Sequence, residues 1–291
     1  MIKGNIDSFF FLFYTDRLSI WLSVDPLADK YPHLSPYAYC ANNPVMYVDP
    51  TGMEVEEGSL KEWVKLKQRI EKQRDRLQSD INKLNAKAEA KGWSSKKLAG
   101  KIGNKAERLA SLNSSIGTME ILEGSTQVYS LSHTGDGEDG GVTLNTSTNI
   151  IDIKFGSTAN FVHEMTHAGQ FETGDVAFLN TGMTVLQDLY DETAAYKAQF
   201  GYSPSSVSGL TSTSVANSFS EITPTWVQRL KDATGCMPYA EGGSTNIGLI
   251  PVNVNPTRDA PIQAYPWKAA VLRQLPENYN IRTLQGIYYK R

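Results

Sequence analysis

The sequence has few cysteines, few histidines and no long hydrophobic run. Cys40 and Cys236 are its 2 cysteines, and no CxxC pair occurs, which excludes a disulfide framework and leaves a single bridge open. The longest strongly apolar run, FFFLFY at residues 9–14, is too short to cross a bilayer. Lys3 precedes this run, but no small-residue cleavage site follows promptly, so the sequence has no clear signal peptide.

The small net charge of −3 hides an uneven distribution. Between Lys61 and Lys105 there are 14 Lys and Arg residues against 5 Asp and Glu residues. This block therefore carries about +9 and the remainder of the chain about −12. The overall balance gives no reason to expect nucleic-acid binding, although the basic block needs an explanation. No repeat with a period of 20 to 50 residues is present, which argues against repeat architectures.

Residues 1–52 are rich in aromatic residues, Pro and Asn, and they predict short strands joined by turns. NNPV and DPTG are turn sequences because Pro restricts φ, while Asn and Gly tolerate left-handed conformations. About fifty such residues are too few for a core of their own. We therefore expect this segment to pack against the helices that follow it.

Residues 53–118 predict a basic helical hairpin that links the first segment to the last. Apolar residues recur every seven positions before Gly92 and every three or four positions after it. These residues are Trp63, Ile70, Leu77, Leu84, Leu98, Ile102, Leu109, Leu112, Ile116 and Met119. Their Lys and Arg neighbours fit a solvated helix face. The alternative is an arm that contacts nucleic acid or anionic lipid, although few aromatic residues are interleaved with the basic ones.

Residues 119–291 predict an α+β domain with a small, mostly antiparallel sheet. A Gly-rich turn precedes alternation at Ile151, Ile153 and Phe155, which indicates a half-buried strand of a hairpin. The pattern then predicts a helix over TANFVHEMTHAGQF, a second helix over residues 184–202 and a loop over residues 203–218. TPTWVQRLKDAT and YPWKAAVLRQL predict two shorter helices.

The helix over FVHEMTHAGQFE carries the pattern HExxH at His163, Glu164 and His167. Side chains four apart project from one helix face, so both imidazoles can bind one zinc ion, with room for a third protein ligand and a water. Zinc lowers the pKa of bound water from about 15.7 to about 7. Glu164 borders the same face and can accept the proton of that water. The strand just ahead could hold an extended peptide by edge pairing.

The third ligand has to come from elsewhere in the chain. An extended HExxH motif would need Gly and His at the positions of Gln170 and Thr173, which excludes the metzincin pattern. The next helix offers Asp188, Asp191 and Glu192, and we favour Glu192 as the ligand. The alternative interpretation is an ordinary solvated helix with two surface histidines, since HExxH arises by chance in about one chain in a hundred of this length.

A side chain that stabilises the oxyanion often accompanies this chemistry. The candidates are Tyr196, Tyr202, Tyr239, Tyr265 and His133. The sequence does not choose among them.

Residues 25–52, DPLADKYPHLSPYAYCANNPVMYVDPTG, closely resemble the signature of the Rhs-repeat-associated core. In Rhs proteins this signature ends the repeat shell and precedes a variable C-terminal toxin. The repeat shell is missing upstream here, and YTDRLSIWLS lacks the Gly-Arg that usually precedes the core. The resemblance implies a toxin cassette that carries a remnant of its carrier.

A second resemblance covers roughly residues 140–202. HEMTHAGQ followed by ETAAY is similar to the paired helices of zincin metallopeptidases with a Glu ligand, found among polymorphic toxins. The resemblance implies that His163, His167 and Glu192 bind zinc and that Glu164 is the general base. It further implies secretion or delivery into a rival cell and a cognate immunity protein. The resemblance does not extend to the final ninety residues.

These observations lead to one preferred function and two alternatives. The preferred function is a zinc-dependent peptidase that acts as the toxin of an Rhs-type protein. The first alternative is a catalytically inactive Rhs-associated remnant, which metal content and a peptidase assay would distinguish. The second is an effector that acts on nucleic acid through the basic helices, for which a salt-dependent gel shift is the test.

Overall fold

The computed structural model describes residues 6–9, 12–15, 20–21, 56–135, 139–208, 216–232, 234–245, 247–252, 257–278, 280, 287–288 and 290. The chain divides into two compact units, one of residues 1–54 with 123–126 and one of residues 55–122 with 127–291. The Rhs-like segment 25–52 lies outside the described residues, so its predicted packing against the helices stays a prediction.

The first unit contains a small antiparallel sheet. Its strands are β1 (Ile6–Phe9), β2 (Leu12–Thr15) and β3 (Ile20–Trp21), paired in the order β1-β2-β3. Short strands agree with the sequence prediction for this part of the chain.

Helices and two further small sheets make up the rest of the described chain, which confirms the α+β class. The helices are α1 (Glu57–Ala90), α2 (Ser95–Ile102), α3 (Lys105–Glu123), α4 (Thr158–Thr173), α5 (Leu189–Tyr202), α6 (Pro204–Ser208), α7 (Pro224–Gln228), α8 (Asp259–Ala264) and α9 (Ala269–Leu272). Across the described residues, no helix combines the length and the apolar character that a membrane crossing requires.

The remaining strands are β4 (Val128–His133), β5 (Gly141–Asn145), β6 (Ile150–Phe155), β7 (Ala177–Leu179), β8 (Thr184–Val185) and β9 (Ile287–Tyr288). One sheet has the order β4-β6-β5 and the other the order β8-β7-β9. β4 pairs parallel with β6, whereas the other pairings between the named strands are antiparallel. Strand β6 alternates in burial, and it forms a hairpin with β5, as predicted.

The position of β6 overturns one expectation. The alternating strand ahead of the HExxH helix was the expected site of edge pairing with a peptide. β6 instead lies between β4 and β5, so its backbone groups are used on both sides. Alternation reports which face of a strand is buried and carries no information about its neighbours in the sheet. β5 is an edge of this sheet.

Helices lie on both sides of the junction near KGWSS, as predicted. α1 ends at Ala90, and the Ser94 side chain caps α2 by accepting a hydrogen bond from the Lys97 N–H at 3.3 Å. The second predicted helix is interrupted, because Gly103 has φ 52° and separates α2 from α3. Glycine adopts this left-handed conformation without the steric cost of a Cβ.

The apolar sides of α1 and α3 belong to the same core as β4, β5, β6 and α4. Leu66 and Ile70 of α1 are fully buried in it. The Trp63 ring meets the edge of the Phe161 ring at 5.7 Å, and Phe161 in turn contacts Phe155 at 5.2 Å. Helices α1 and α3 therefore share a core with α4, the helix that carries HExxH.

Both ends of α4 follow from local sequence. Ser157 precedes the helix, and its hydroxyl accepts a hydrogen bond from the Asn160 N–H at 3.1 Å, which is the usual role of Ser at this position. Gly174 ends the helix in a left-handed conformation with φ 83°, as glycine commonly does. His163 and His167 thus lie in the middle of a well-defined helix.

The helix predicted over residues 184–202 begins later, at Leu189. Thr184 and Val185 form β8, and Asp188 is the N-cap residue of α5. The Asp188 carboxylate accepts hydrogen bonds from Tyr190 and Asp191, and the Asp191 carboxylate accepts one from the Asp188 N–H at 2.9 Å. Both carboxylates are therefore occupied in a capping box.

We expect Asp188→Ala to lower the free energy of unfolding by about 2–4 kcal/mol, because it removes a helix cap and leaves a buried N–H without a partner. That N–H belongs to Val252, which donates to Asp188 Oδ2 at 2.7 Å. Chemical denaturation measures the effect, and Asp80→Ala on the exposed face of α1 is the matched control. An unchanged free energy of unfolding would contradict this role of Asp188.

The predictions for the C-terminal part are only partly correct. The predicted loop 203–218 contains the short helix α6, and residues 209–215 lie outside the described part. TPTWVQRLKDAT contains α7, and YPWKAAVLRQL contains the 3₁₀ turn Pro266–Lys268 followed by α9. A second core joins α5 to this region through aromatic residues such as Phe200 and Trp226.

Candidate metal centre

Helices α4 and α5 bring three donor side chains together. His163 Nε2 and His167 Nε2 are 3.3 Å apart. Glu192 Oε2 lies 3.4 Å from His163 Nε2, and Glu192 Oε1 lies 3.5 Å from His167 Nε2. All three side chains are buried, with 4 to 6% of each residue exposed. This group could hold a metal ion.

The distances between the donors fit zinc. Ligands at about 2.0–2.1 Å from a tetrahedral ion are about 3.3 Å apart, which matches the observed 3.3, 3.4 and 3.5 Å. Octahedral Mg²⁺ with bonds of about 2.0–2.1 Å would need separations near 2.9 Å and oxygen donors. Two imidazoles and one carboxylate are a set that zinc accepts.

Two buried polar atoms in the group have no hydrogen-bond partner among the described residues, namely Glu192 Oε2 and His163 Nδ1. The Tyr239 phenol lies near enough to Glu192 to favour its charged form, but it makes no hydrogen bond to Oε2 within the described part of the chain. An unpaired carboxylate oxygen is costly to bury. A cation between Glu192 and the imidazoles would remove that cost.

The electrostatics of the group favour a positive charge. Burial alone would raise the pKa of Glu192, but the His167 and His163 rings hold it below its usual value. Burial alone would lower the pKa of His163, yet Glu192 and Glu164 outweigh burial and raise it. The Glu192 carboxylate and the readily protonated His163 ring together favour a positive charge between them. A metal ion bound there would displace the proton of the imidazole.

Glu164 lies beside the group and is held by a neighbour on the same helix. Asn160 Nδ2 donates to Glu164 Oε1 at 3.0 Å, and Asn160 Oδ1 accepts from the Gly156 N–H at 2.9 Å. Burial raises the pKa of Glu164, although His163 and His167 oppose this. Gly140 lies so close that a Cβ there would be 2.6 Å from Glu164 Oε1. Glu164 is thus a buried, oriented carboxylate.

Two of the candidate oxyanion residues reach the donor group. The Tyr196 ring lies 4.4 Å from the His163 ring, and the Tyr196 and Tyr239 hydroxyls are 3.3 Å apart. Burial, with Glu192 nearby, raises the pKa of both phenols above the usual value. Both hydroxyls therefore stay protonated and can donate a hydrogen bond.

The other three candidates are engaged elsewhere. Tyr202 is half-buried against the first core, and its carbonyl accepts from Arg108 Nη2 at 3.2 Å. The Tyr265 hydroxyl donates to the Gln187 carbonyl. His133 is exposed at the end of β4, where its ring contacts Phe155 at 4.7 Å. Of the five candidates, Tyr196 and Tyr239 are therefore the two that lie beside the donor group in the described part of the chain.

Three polar side chains next to the donors were not among the site residues predicted from the sequence. Gln170 Oε1 lies 2.7 Å from His167 Nδ1, and Gln170 Nε2 donates to the Asp191 carbonyl at 3.1 Å. Gln187 Nε2 donates to Glu192 Oε1 at 2.6 Å. Asn160 is the third. Asn160 and Gln170 were detectable, because they stand four before Glu164 and three after His167 on one helix. Gln187 left no such signal.

The donor group, its oriented carboxylate and its two phenols form one buried site at the junction of α4 and α5. Comparisons with protein-family models, with curated proteins and with solved structures find no match for this chain.

Proposed function

We propose that this protein is a zinc-dependent peptidase. The convergence of two imidazoles and one carboxylate carries the proposal. His163 Nε2 and His167 Nε2 are 3.3 Å apart, Glu192 Oε2 lies 3.4 Å from the first nitrogen, and Glu192 Oε1 lies 3.5 Å from the second. These side chains would hold the ion, which supplies a polarised, acidified water and a Lewis acid for the peptide carbonyl. The distances, the donor types and the unpaired Glu192 Oε2 all support zinc as the ion.

Glu164 would act as the general base. Its position one residue after His163 keeps it beside the donors, and the hydrogen bond from Asn160 to Oε1 leaves Oε2 for proton transfer. Its raised pKa brings it closer to the working pH, where a carboxylate accepts a proton more readily. After accepting a proton from the attacking water, Glu164 would pass it to the leaving amine.

Tyr196 and Tyr239 share a hydrogen bond, and the hydroxyl that accepts it keeps its own hydrogen. That hydroxyl would donate a hydrogen bond to the carbonyl oxygen as it gains negative charge. We assign the substrate backbone to the outer edge of β5. This strand begins directly after Gly140, and Gly140 lies beside Glu164. The Leu144 N–H on this edge donates to the Gly182 carbonyl at 2.9 Å. Strand periodicity directs the backbone groups of Val142 to the same edge, where an extended peptide can pair.

The biological role that we propose is that of an effector domain. The resemblance of residues 25–52 to the Rhs core supports a toxin delivered into a competing cell, together with an immunity protein that blocks it. The basic helices would then serve as the support of α4, because their apolar sides share its core.

Elemental analysis of the purified protein together with a peptide library tests the proposed activity. We expect one zinc per chain and cleavage that stops on chelation and returns with added zinc. Bound zinc without cleavage of any peptide would favour the inactive remnant. Absence of any bound metal after zinc loading would contradict the proposal itself.

A further inference from the structure

Gln187 stands in an unusual stretch of backbone between β8 and α5. The residue before it, Leu186, has φ 68° and is buried. A bulky non-glycine residue seldom adopts this conformation, and such strain persists only where surrounding contacts hold it. The Gln187 side chain that follows contacts His167 and Glu192 of the donor group.

The Gln187 backbone is held by the C-terminal part of the chain. Its carbonyl accepts hydrogen bonds from the Tyr265 hydroxyl at 2.5 Å and from the Gly248 N–H at 2.8 Å. Gln187 is itself buried, with 9% of the residue exposed. Residues beyond the two helices of the motif therefore place this glutamine.

The orientation of the Gln187 amide follows from its contacts. Thr184 Oγ1 donates to Gln187 Oε1 at 3.3 Å, which leaves Nε2 as the donor to Glu192 Oε1 at 2.6 Å. Nε2 also lies 3.4 Å from both ring nitrogens of His167. The short contact to Glu192 is the strongest of these, because a carboxylate is a charged acceptor.

We infer that Gln187 is a positioning residue that limits Glu192 to a single ligand oxygen. Glu192 Oε1 lies 3.5 Å from His167 Nε2 but accepts the hydrogen bond from Gln187 Nε2 at 2.6 Å. Glu192 Oε2 is buried without a hydrogen bond in the described part of the chain and faces His163 Nε2 at 3.4 Å. One oxygen from Glu192 and one nitrogen from each histidine make three ligands. The fourth tetrahedral position then stays open for water or substrate. This inference rests on the proposed zinc site.

The test compares Gln187→Met with wild type. Met has nearly the same length and has no donor for Glu192. Gln78→Met, at an exposed position on α1, is the matched control. Thr184→Val is the second variant, since it keeps Gln187 but removes the hydroxyl that orients its amide. Two properties are measured for each protein, the zinc dissociation constant by competition with a chelator and the visible spectrum of the Co²⁺ form.

We expect wild type and Gln78→Met to show the intense visible bands of four-coordinate Co²⁺. Gln187→Met should bind zinc about 10- to 100-fold more weakly, because the Glu192 carboxylate loses the hydrogen bond that orients it. Its Co²⁺ form should show the weaker bands of a five-coordinate ion, because both Glu192 oxygens become free to bind. Thr184→Val should change both properties in the same direction by a smaller factor.

The outcomes separate this inference from the proposed function. Unchanged affinity and spectrum in Gln187→Met would overturn the role of Gln187 and leave the zinc site standing. Weaker binding with an unchanged four-coordinate spectrum would overturn the single-oxygen assignment. Failure of wild type to bind either metal would overturn both. If Gln187→Met does not fold, an unchanged Thr184→Val spectrum and affinity would count against the inference.

Discussion

Glu164→Gln is expected to keep one zinc per chain and to lose peptidase activity by about 10²- to 10⁴-fold, the contribution of general base catalysis. Gln has the shape of Glu and can still contact Asn160, which holds Glu164 Oε1 at 3.0 Å. It lacks a carboxylate that can accept the proton of water. Elemental analysis and steady-state kinetics on one peptide measure the two properties. Glu120→Gln, at an exposed position on α3, is the matched control.

The same variant separates enzyme from remnant in cells. Wild type produced in a sensitive bacterial cytoplasm or periplasm should slow growth, and Glu164→Gln should not, at similar protein levels. Equal toxicity of both forms would mean that the harm does not come from hydrolysis, and the basic helices would become the next candidate. Absence of toxicity from either form, with zinc bound and no peptide cut, would support the inactive remnant.

His163→Ala and His167→Ala are each expected to remove most of the bound zinc, because each deletes one of three protein ligands. A ligand that binds only the folded state stabilises it by about 4 kcal/mol at a concentration of 1,000 times its dissociation constant. Zinc should therefore raise the melting temperature of wild type and leave that of the double variant unchanged. Elemental analysis and thermal melts with and without zinc measure the effect.

His133→Ala is the matched control for these two substitutions. His133 is exposed and contacts Phe155 at the end of β4. This variant should keep both its zinc and the stabilisation by zinc. Normal zinc content in the His163→Ala, His167→Ala double variant would show that the metal binds elsewhere and would end the assignment of this site.

Several features of the site could be predicted from local sequence. The i, i+4 spacing places His163 and His167 on one face of a helix, and Ser157 and Gly174 mark the two ends of that helix. Alternation at Ile151, Ile153 and Phe155 identified β6 and its buried face. These predictions needed only the geometry of a single helix or strand, which depends on neighbouring residues.

The choice of the third donor needed more than local pattern. Asp188, Asp191 and Glu192 are close together in the sequence and were all candidates. The first two form the capping box of α5, while Glu192 lies in the first turn and points toward α4. The three-residue spacing of Asp188 and Asp191 fits a capping box at the start of α5. The packing of α5 against α4 decided which carboxylate reaches the histidines.

The sequence by itself determined the HExxH helix, the alternating strand and the pair of histidines with Glu164 between them. The tertiary structure alone decided that β6 is central and β5 is an edge, and that Tyr196 and Tyr239 reach the site while His133 does not. It also decided that Gln187 is held by Tyr265, 78 positions away in the chain. Helix and strand periods are properties of a few neighbouring residues, whereas these contacts depend on how separate elements pack across the core.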